Sequence, residues 1–292
     1  MEISFKKSIA AFLLPALLLA CKKTTGDTID TGGPAPSSGG AKPHFIQGDV
    51  FDANGYKFNF TNSKVIIHAW GPGLIGESDR MYNIPMNGQG HYEEQVIDGL
   101  YAFHAYAKMP LNGQMVMIDL ESLDDISYSV QQASAPGILK NFGLKLSGLK
   151  KEGDPNDANS YFGGHVSVAD GAANFTSDGY WTNLAVTYPG AVITFDLTPK
   201  GTCVDGSSAP TKQIECSVED LQQGRYLVDF PFAYYRLTAV LRTAQGVQRQ
   251  LRLTFIPGAT GPHYDALDLT FPPDPSDPDG HPYNPYVAVW AD

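Results

Sequence analysis

From residue 44 onward the chain runs in short stretches of alternating apolar and polar residues, each cut off by Gly, Asn, Asp or Pro. That pattern constrains the fold more than any other feature. A period of two places successive side chains on opposite faces of a strand, and no long stretch keeps the period of a helix. The expected strands cover 45–52, 65–70, 91–97, 101–108, 115–120 and 139–146. After a polar stretch at 150–160 come 164–168, 191–198, 225–230, 235–242, 248–255, 266–271 and 286–290. Only 120–134 reads as a short helix or irregular loop. Turn signals at this spacing suit a sandwich or barrel, so the fold class is all-β. The 15 Tyr and 15 Phe residues agree with strands better than with a helical bundle.

The two halves of this region echo each other. Gly48-Asp-Val50-Phe-Asp-Ala53-Asn54-Gly55 matches Gly164-His-Val166-Ser-Val-Ala169-Asp170-Gly171 at identical spacing. Asn59-Phe60-Thr61-Asn62 is followed by Asn174-Phe175-Thr176-Ser177, and Val96-Ile-Asp-Gly99-Leu-Tyr101 by Leu221-Gln-Gln-Gly224-Arg-Tyr226. Asn-Gly and Asp-Gly supply the positive-φ residues that close a hairpin. Gly99 and Gly224 are expected to make tight turns, after which Tyr101 or Tyr226 opens a strand with its ring against the core. Three matches in the same order argue for duplication.

A strand with Gly-x-Val, a turn ending in Asn-Gly or Asp-Gly, and a Gly-x-Tyr opening a later strand together resemble the carboxypeptidase regulatory-like domain. The resemblance implies the prealbumin (transthyretin-like) fold, a Greek-key β-sandwich, here in two tandem copies. The first would occupy 44–149, a linker 150–160, and a divergent second copy 161–292. The second copy departs by inserting 177–190 and a long loop at 203–216, and by its Pro-rich tail. These motifs specify fold and say little about function.

The amino terminus carries a separate signal. Lys6 and Lys7 precede an apolar run over 9–20 that falls short of the ~20 residues of a spanning helix and contains Pro15. Leu18-Leu19-Ala20-Cys21 resembles the bacterial lipobox. The resemblance implies a signal peptide over 1–20, diacylglycerol on the Cys21 thiol and a new acylated amino terminus. Several acyl chains would anchor the protein stably to a membrane of the bacterial envelope, expected to be the outer one, with the chain periplasmic or surface-exposed. Residues 21–43 hold no aromatic and, among large aliphatics, only Ile29. They cannot bury enough surface to offset ordering entropy and read as a flexible tether.

The net charge of −11, from 20 basic and 31 acidic residues, excludes a nucleic-acid partner. With Cys21 lipidated, Cys203 and Cys216 are the remaining thiols of an exported chain, and a disulfide between them is expected across a hairpin base. No histidine pair has helix-face metal spacing, and neither a Gly-x-Ser-x-Gly elbow nor a phosphate-cradling loop occurs. Prealbumin-like relatives include hydroxyisourate hydrolases and intradiol dioxygenases, but their Tyr-Arg-Gly-Ser and His-x-His motifs are absent. No catalytic residue is therefore expected. His68 and His104, beside Trp70 and Tyr106, could share a surface, although polar residues on the wet face of a sheet suffice to explain them.

Asp274, Asp277 and Asp279, before Gly280, have the spaced oxygens of a Ca²⁺ loop. Stiff prolines and the lack of a following bidentate Glu favour a merely solvated loop, so no cofactor is expected. Trp70, at a strand end, and Tyr180-Trp181, in the insertion, are the expected ligand-binding residues, since aromatic faces stack on sugars and anchor protein partners. The reading that follows is a lipid-anchored, extracytoplasmic, non-enzymatic binding or accessory protein with a glycan as ligand. Its alternative is a structural or assembly module contacting another envelope protein, and a hydrolase or metal-dependent enzyme comes third.

Overall fold

In the computed structural model the described residues are 40–58, 64–72, 80–124, 132–171, 183–222, 224–256, 262–278 and 280–291. Cys21, the signal and tether segments to residue 39, Tyr180, Trp181 and Asp279 lie outside them, as does the echo at 59–62 and 174–177. The described residues all fall within one compact unit. Among them no helix is long and apolar enough to cross a membrane.

The chain is all-β. The first half contains β1 Phe45–Phe51, β2 Lys64–Gly71, β3 Arg80–Pro85, β4 His91–Gln95, β5 Leu100–Leu111 and β6 Gln114–Ser122. The short strands β7 Gln132–Ala133, β8 Ile138–Leu139 and β9 Phe142–Leu144 complete it. These strands pair only with one another among the described residues, in the order β3-β2-β5-β6-β9-β1-β4. The second half begins with β10 Gly164–Asp170, β11 Val192–Cys203, β12 Lys212–Ser217, β13 Arg225–Phe230 and β14 Ala233–Arg242. It continues through β15 Gln248–Gln250, β16 Arg252–Phe255, β17 Leu267–Leu269 and β18 Tyr286–Trp290. These form two sheets, β13-β10-β18-β16 and β12-β11-β14-β15, with β17 also on β14.

The halves share a pairing scheme. β2 lies between β3 and β5 as β11 lies between β12 and β14, while β1 takes β4 antiparallel and β9 parallel as β10 takes β13 and β18. Inner faces follow the period of two. Ile67, Phe103, Ala105 and Ile118 meet Val50 and Phe142 in the first half. Ile193, Phe195 and Leu237 meet Val166, Leu253 and Val287 in the second. Each such large side chain contributes roughly 1.5–3 kcal/mol of burial.

Gly48 makes the closest backbone approach: a Cβ there would stand 1.8 Å from the Lys140 carbonyl oxygen. At its counterpart Gly164 the nearest atoms to such a Cβ are in the rings of Phe232, Phe230 and Phe271, at 3.2–3.3 Å.

The expected duplication needs one correction. Tyr101 is buried at the start of β5, but Tyr226 is 49% exposed on β13, an outer strand paired with β10 rather than with β11. Its ring stands edge-on to His165 instead of entering the core. The place of Tyr101 is taken by Tyr235, fully buried near the start of β14, because β14 pairs with β11 as β5 pairs with β2.

The expected disulfide is also corrected: Cys203 and Cys216 are buried free thiols. Cys216 sits opposite Ile193, whereas Cys203 ends the same strand β11, next to the turn that leads into β12. At ~3.3 Å per residue they stand about 30 Å apart along the hairpin, far beyond the ~4.4–6.8 Å Cα separation of a disulfide. Burial pushes the Cys216 thiol up to about 11 and raises that of Cys203 as well.

Candidate functional site

The outer face of the sheet β3-β2-β5-β6 carries chemistry that the core does not use. Residues facing away from Ile67, Phe103 and Ile118 include Trp70 and His68 on β2, His104 and Tyr106 on β5, and Asp119 on β6. Register aligns them across strands: His68 lies opposite His104, and Tyr106 lies between Ile66 and Asp119. His68 and His104 thus share a surface. It is not simply a wet one, because His68 is 8% exposed and Tyr106 is buried. Ring centroids step from Trp70 to His68 at 5.5 Å, to Tyr106 at 5.3 Å and to His281 at 5.1 Å, each contact edge-to-face. Trp70 is 38% exposed at one end of this row and is on the surface rather than filling the core.

At the other end Asp119 gathers groups from three segments. Lys150, from the linker, places Nζ 2.7 Å from Oδ2. His104 Nε2 and His281 Nε2 stand 3.5 and 3.7 Å from Oδ1. Those are ion-pair separations rather than hydrogen bonds, and Oδ1 is shut off from solvent although the whole side chain is 22% exposed. Each imidazole is held by its other nitrogen: His104 Nδ1 is 2.7 Å from Tyr106 Oη, and His281 Nδ1 is 2.5 Å from Asp277 Oδ2. Burial would raise the Asp119 carboxyl, but His104, His281 and Lys150 outweigh it and hold it well below the carboxylate range. Asp119 is in turn the main cause of a raised His281 imidazolium, working against burial and with help from Asp277.

This cluster lies where the halves meet. Besides Lys150 and His281, Met117 N on β6 donates to Gly280 O at 3.0 Å, and Gly148 N donates to the Asp229 carboxylate on β13. A cleft of about 240 Å³ opens beside it, lined among others by Asp119, Lys150, Asn159, His165, His281 and Asn284. His165, lowered by burial, accepts no charge readily there, while Asn159 and Asn284 offer neutral amides. Such a mixture of donors, acceptors and ring edges can bind a polar ligand along a row of aromatic faces.

The other sequence candidates lie elsewhere. Asp274 Oδ1 accepts from the Ser276 amide and hydroxyl at 2.8 and 2.6 Å, and Asp277 turns to His281. Their oxygens serve the loop's own turns, and among the described residues no group of three or more His, Cys, Asp or Glu is placed to hold a metal ion. A second polar cluster lies on the outer face of β14 and β17, where Arg236 and Tyr234 hydrogen-bond Asp268 and hold its carboxyl at about 2. Asp119, Lys150 and His281 went unread in the sequence. The available signal was the run of outward polar residues His104, Tyr106 and Asp119 on neighbouring strands.

No family model matches the chain, and no curated protein matches it. Among solved structures it is similar to a DUF3823 family protein from Bacteroides uniformis, at 12% identity, covering 78% of this chain and 99% of that one with a TM-score of 0.22. A DUF3823 family protein from Parabacteroides merdae matches at 10% identity, over 79% and 100% of the chains, with a TM-score of 0.20. The major pilin subunit of Bacillus cereus matches at 6% identity, over 85% and 82%, with a TM-score of 0.22. At these TM-scores the likenesses carry no argument about function.

Proposed function

We propose that the protein is a lipid-anchored binding protein of the bacterial envelope, held through Cys21, that takes a glycan at the two open ends of the aromatic row, against Trp70 and in the cleft beside His281, without catalysing a reaction. The observation that carries the reading is the continuous row Trp70–His68–Tyr106–His281, which joins a half-exposed indole to a cleft of charged and amide groups. Sugar rings present apolar faces to aromatics and hydroxyls to polar side chains, so both parts of the site have a role. The shared pairing scheme of the halves supports the reading as tandem carboxypeptidase regulatory-like sandwiches. It bears on architecture rather than on the ligand.

The test is a panel of soluble glycans titrated against the mature chain and its Trp70→Ala variant. A specific glycan is expected to bind, and the variant to lose about tenfold or more in affinity with its fold intact. Absence of binding to every glycan by folded protein would remove the glycan from the reading.

A protein partner is the second reading, favoured by one observation. Trp70 lies opposite Met81 across β2 and β3, and Leu100 begins the neighbouring strand; all three are exposed. Recovery of one stoichiometric envelope protein by crosslinking, lost in Met81→Asp, would select it.

A further inference from the structure

The loop between β17 and β18 is a small closed unit whose tip rests on the other half of the molecule. Pro273 pairs with Pro282, Asp274 N donates to His281 O at 2.7 Å, and Tyr283 N donates to Pro272 O at 2.7 Å. The tip then meets β6 twice, through the Gly280 carbonyl on Met117 N and through His281 on Asp119. We propose that this loop is a proton-operated latch, fastening its tip to β6 while His281 is charged and loosening it when His281 is neutral.

The reason is the placement of the two imidazole nitrogens. Nδ1, 2.5 Å from Asp277 Oδ2, donates its hydrogen there, so in a neutral ring Nε2 carries a lone pair. That lone pair faces Asp119 Oδ1 at 3.7 Å, so two electron-rich atoms stand opposite each other. A proton on Nε2 turns the same contact into an attraction. The titratable and charged groups facing His281 are Asp277 on its own loop, Asp119 on β6, Tyr106 and His104 on β5, and Lys150 on the linker, with His165 of β10 across the cleft. Lys150 also holds Asp119, at 2.7 Å, so the latch is the loop's hold on β6 and not the whole junction.

The sign follows from the direction of the shift. His281 binds its proton more tightly in the folded chain than the ordinary value of 6.5. The latch is therefore fully made below pH 6.5 and is lost as pH rises through the raised value. On the acid side it persists until Asp119, held well below 3.8, takes up a proton. The latch would regulate the site proposed above, because His281 and Asn284 line its cleft; that consequence rests on the binding reading, whereas the latch itself does not.

The test is amide exchange at Met117 in the mature chain with no ligand added, compared at about pH 5.5 and about pH 8.5 after correction for intrinsic exchange. Protection is expected to fall about tenfold at the higher pH, the effect of losing one charge-assisted hydrogen bond or ion pair. In His281→Gln it should be flat with pH. Flat protection in the wild type, or the same fall in the variant, overturns the latch. Should the variant not fold, imidazole resonances of the wild type decide the matter: a His281 midpoint above 6.5 supports the proposal and one at or below 6.5 overturns it. Because no glycan is used, a chain that binds none still tests the latch.

Discussion

In the first half one unbroken strand, β6, pairs with β5 up to Asp119 and with β9 from Leu120 onward. In the second half the corresponding path is broken at Leu251 into β15, which pairs with β14, and β16, which pairs with β18. Both strands pass from one layer of a sandwich to the other at that corner. In the second half the corner is filled by Leu251, fully buried, and tied by Gln250 Nε2 donating to the carbonyl oxygens of Ala239, Leu251 and Asp265. In the first half the corner shows an aspartate outward and draws its partners from the linker and from the other half. One corner is self-sufficient, and the other is completed by its neighbour. A charged residue can stand at a structural corner because its counter-charges come from elsewhere in the chain. That also explains why the same place is available for a site.

The largest difference between the halves is expected at the paired glycines. Gly48→Ala forces a methyl against the Lys140 backbone and is expected to cost about 3–5 kcal/mol or prevent folding. Gly164→Ala meets first the buried rings of Phe232, Phe230 and Phe271 and should cost less, about 1–3 kcal/mol, both read by urea denaturation. Equal costs would show that the repeat is closer than the structure indicates. Leu251→Ala empties a buried corner and should cost about 2–5 kcal/mol. Asp119→Ala should cost less, about 1–3 kcal/mol, because Lys150 and His281 are partly exposed and can turn to water. A larger loss at Asp119 than at Leu251 would reverse the assignment of which corner is self-sufficient. Smallest in stability is the test of the thiols. Native alkylation near pH 8 should be slow at Cys203 and Cys216, and unfolding should release both. A disulfide-linked peptide between them would contradict the register of β11 with β12.

Much of the fold was legible because strands with one buried face advertise themselves by alternation. The alternation predicts 225–230 and 286–290 with the bounds that β13 and β18 have. The alternation does not predict β3, β7 or β12; β3 and β12 are edge strands, and β12 is mostly polar, Lys212-Gln-Ile-Glu-Cys-Ser217. An edge strand with little to bury carries little hydrophobic signal. Tyr226 misled for a related reason: Gly-x-Tyr reports a turn followed by a strand but not which strand pairs with which. The same limit hid the Asp119 cluster. Alternation placed Tyr106 and the two histidines on an outer face. It did not reveal that Lys150 and His281 would come to cover that face, since such contacts depend on how distant segments pack rather than on local period. The distance between the two cysteines was invisible too, because hairpin register is set by pairing along the whole of β11.

In the proposed reading, ligand binding uses the outer face of β2, β5 and β6 and the cleft beside Asp119. The most direct test is hydrogen exchange of the mature chain with and without a glycan that binds it. Protection is predicted at 68–70, 104–106, 117–119 and 280–284, where the aromatic row and the loop tip meet. Protection confined to the opposite cluster around Tyr234, Arg236 and Asp268, with the row unchanged, would contradict it.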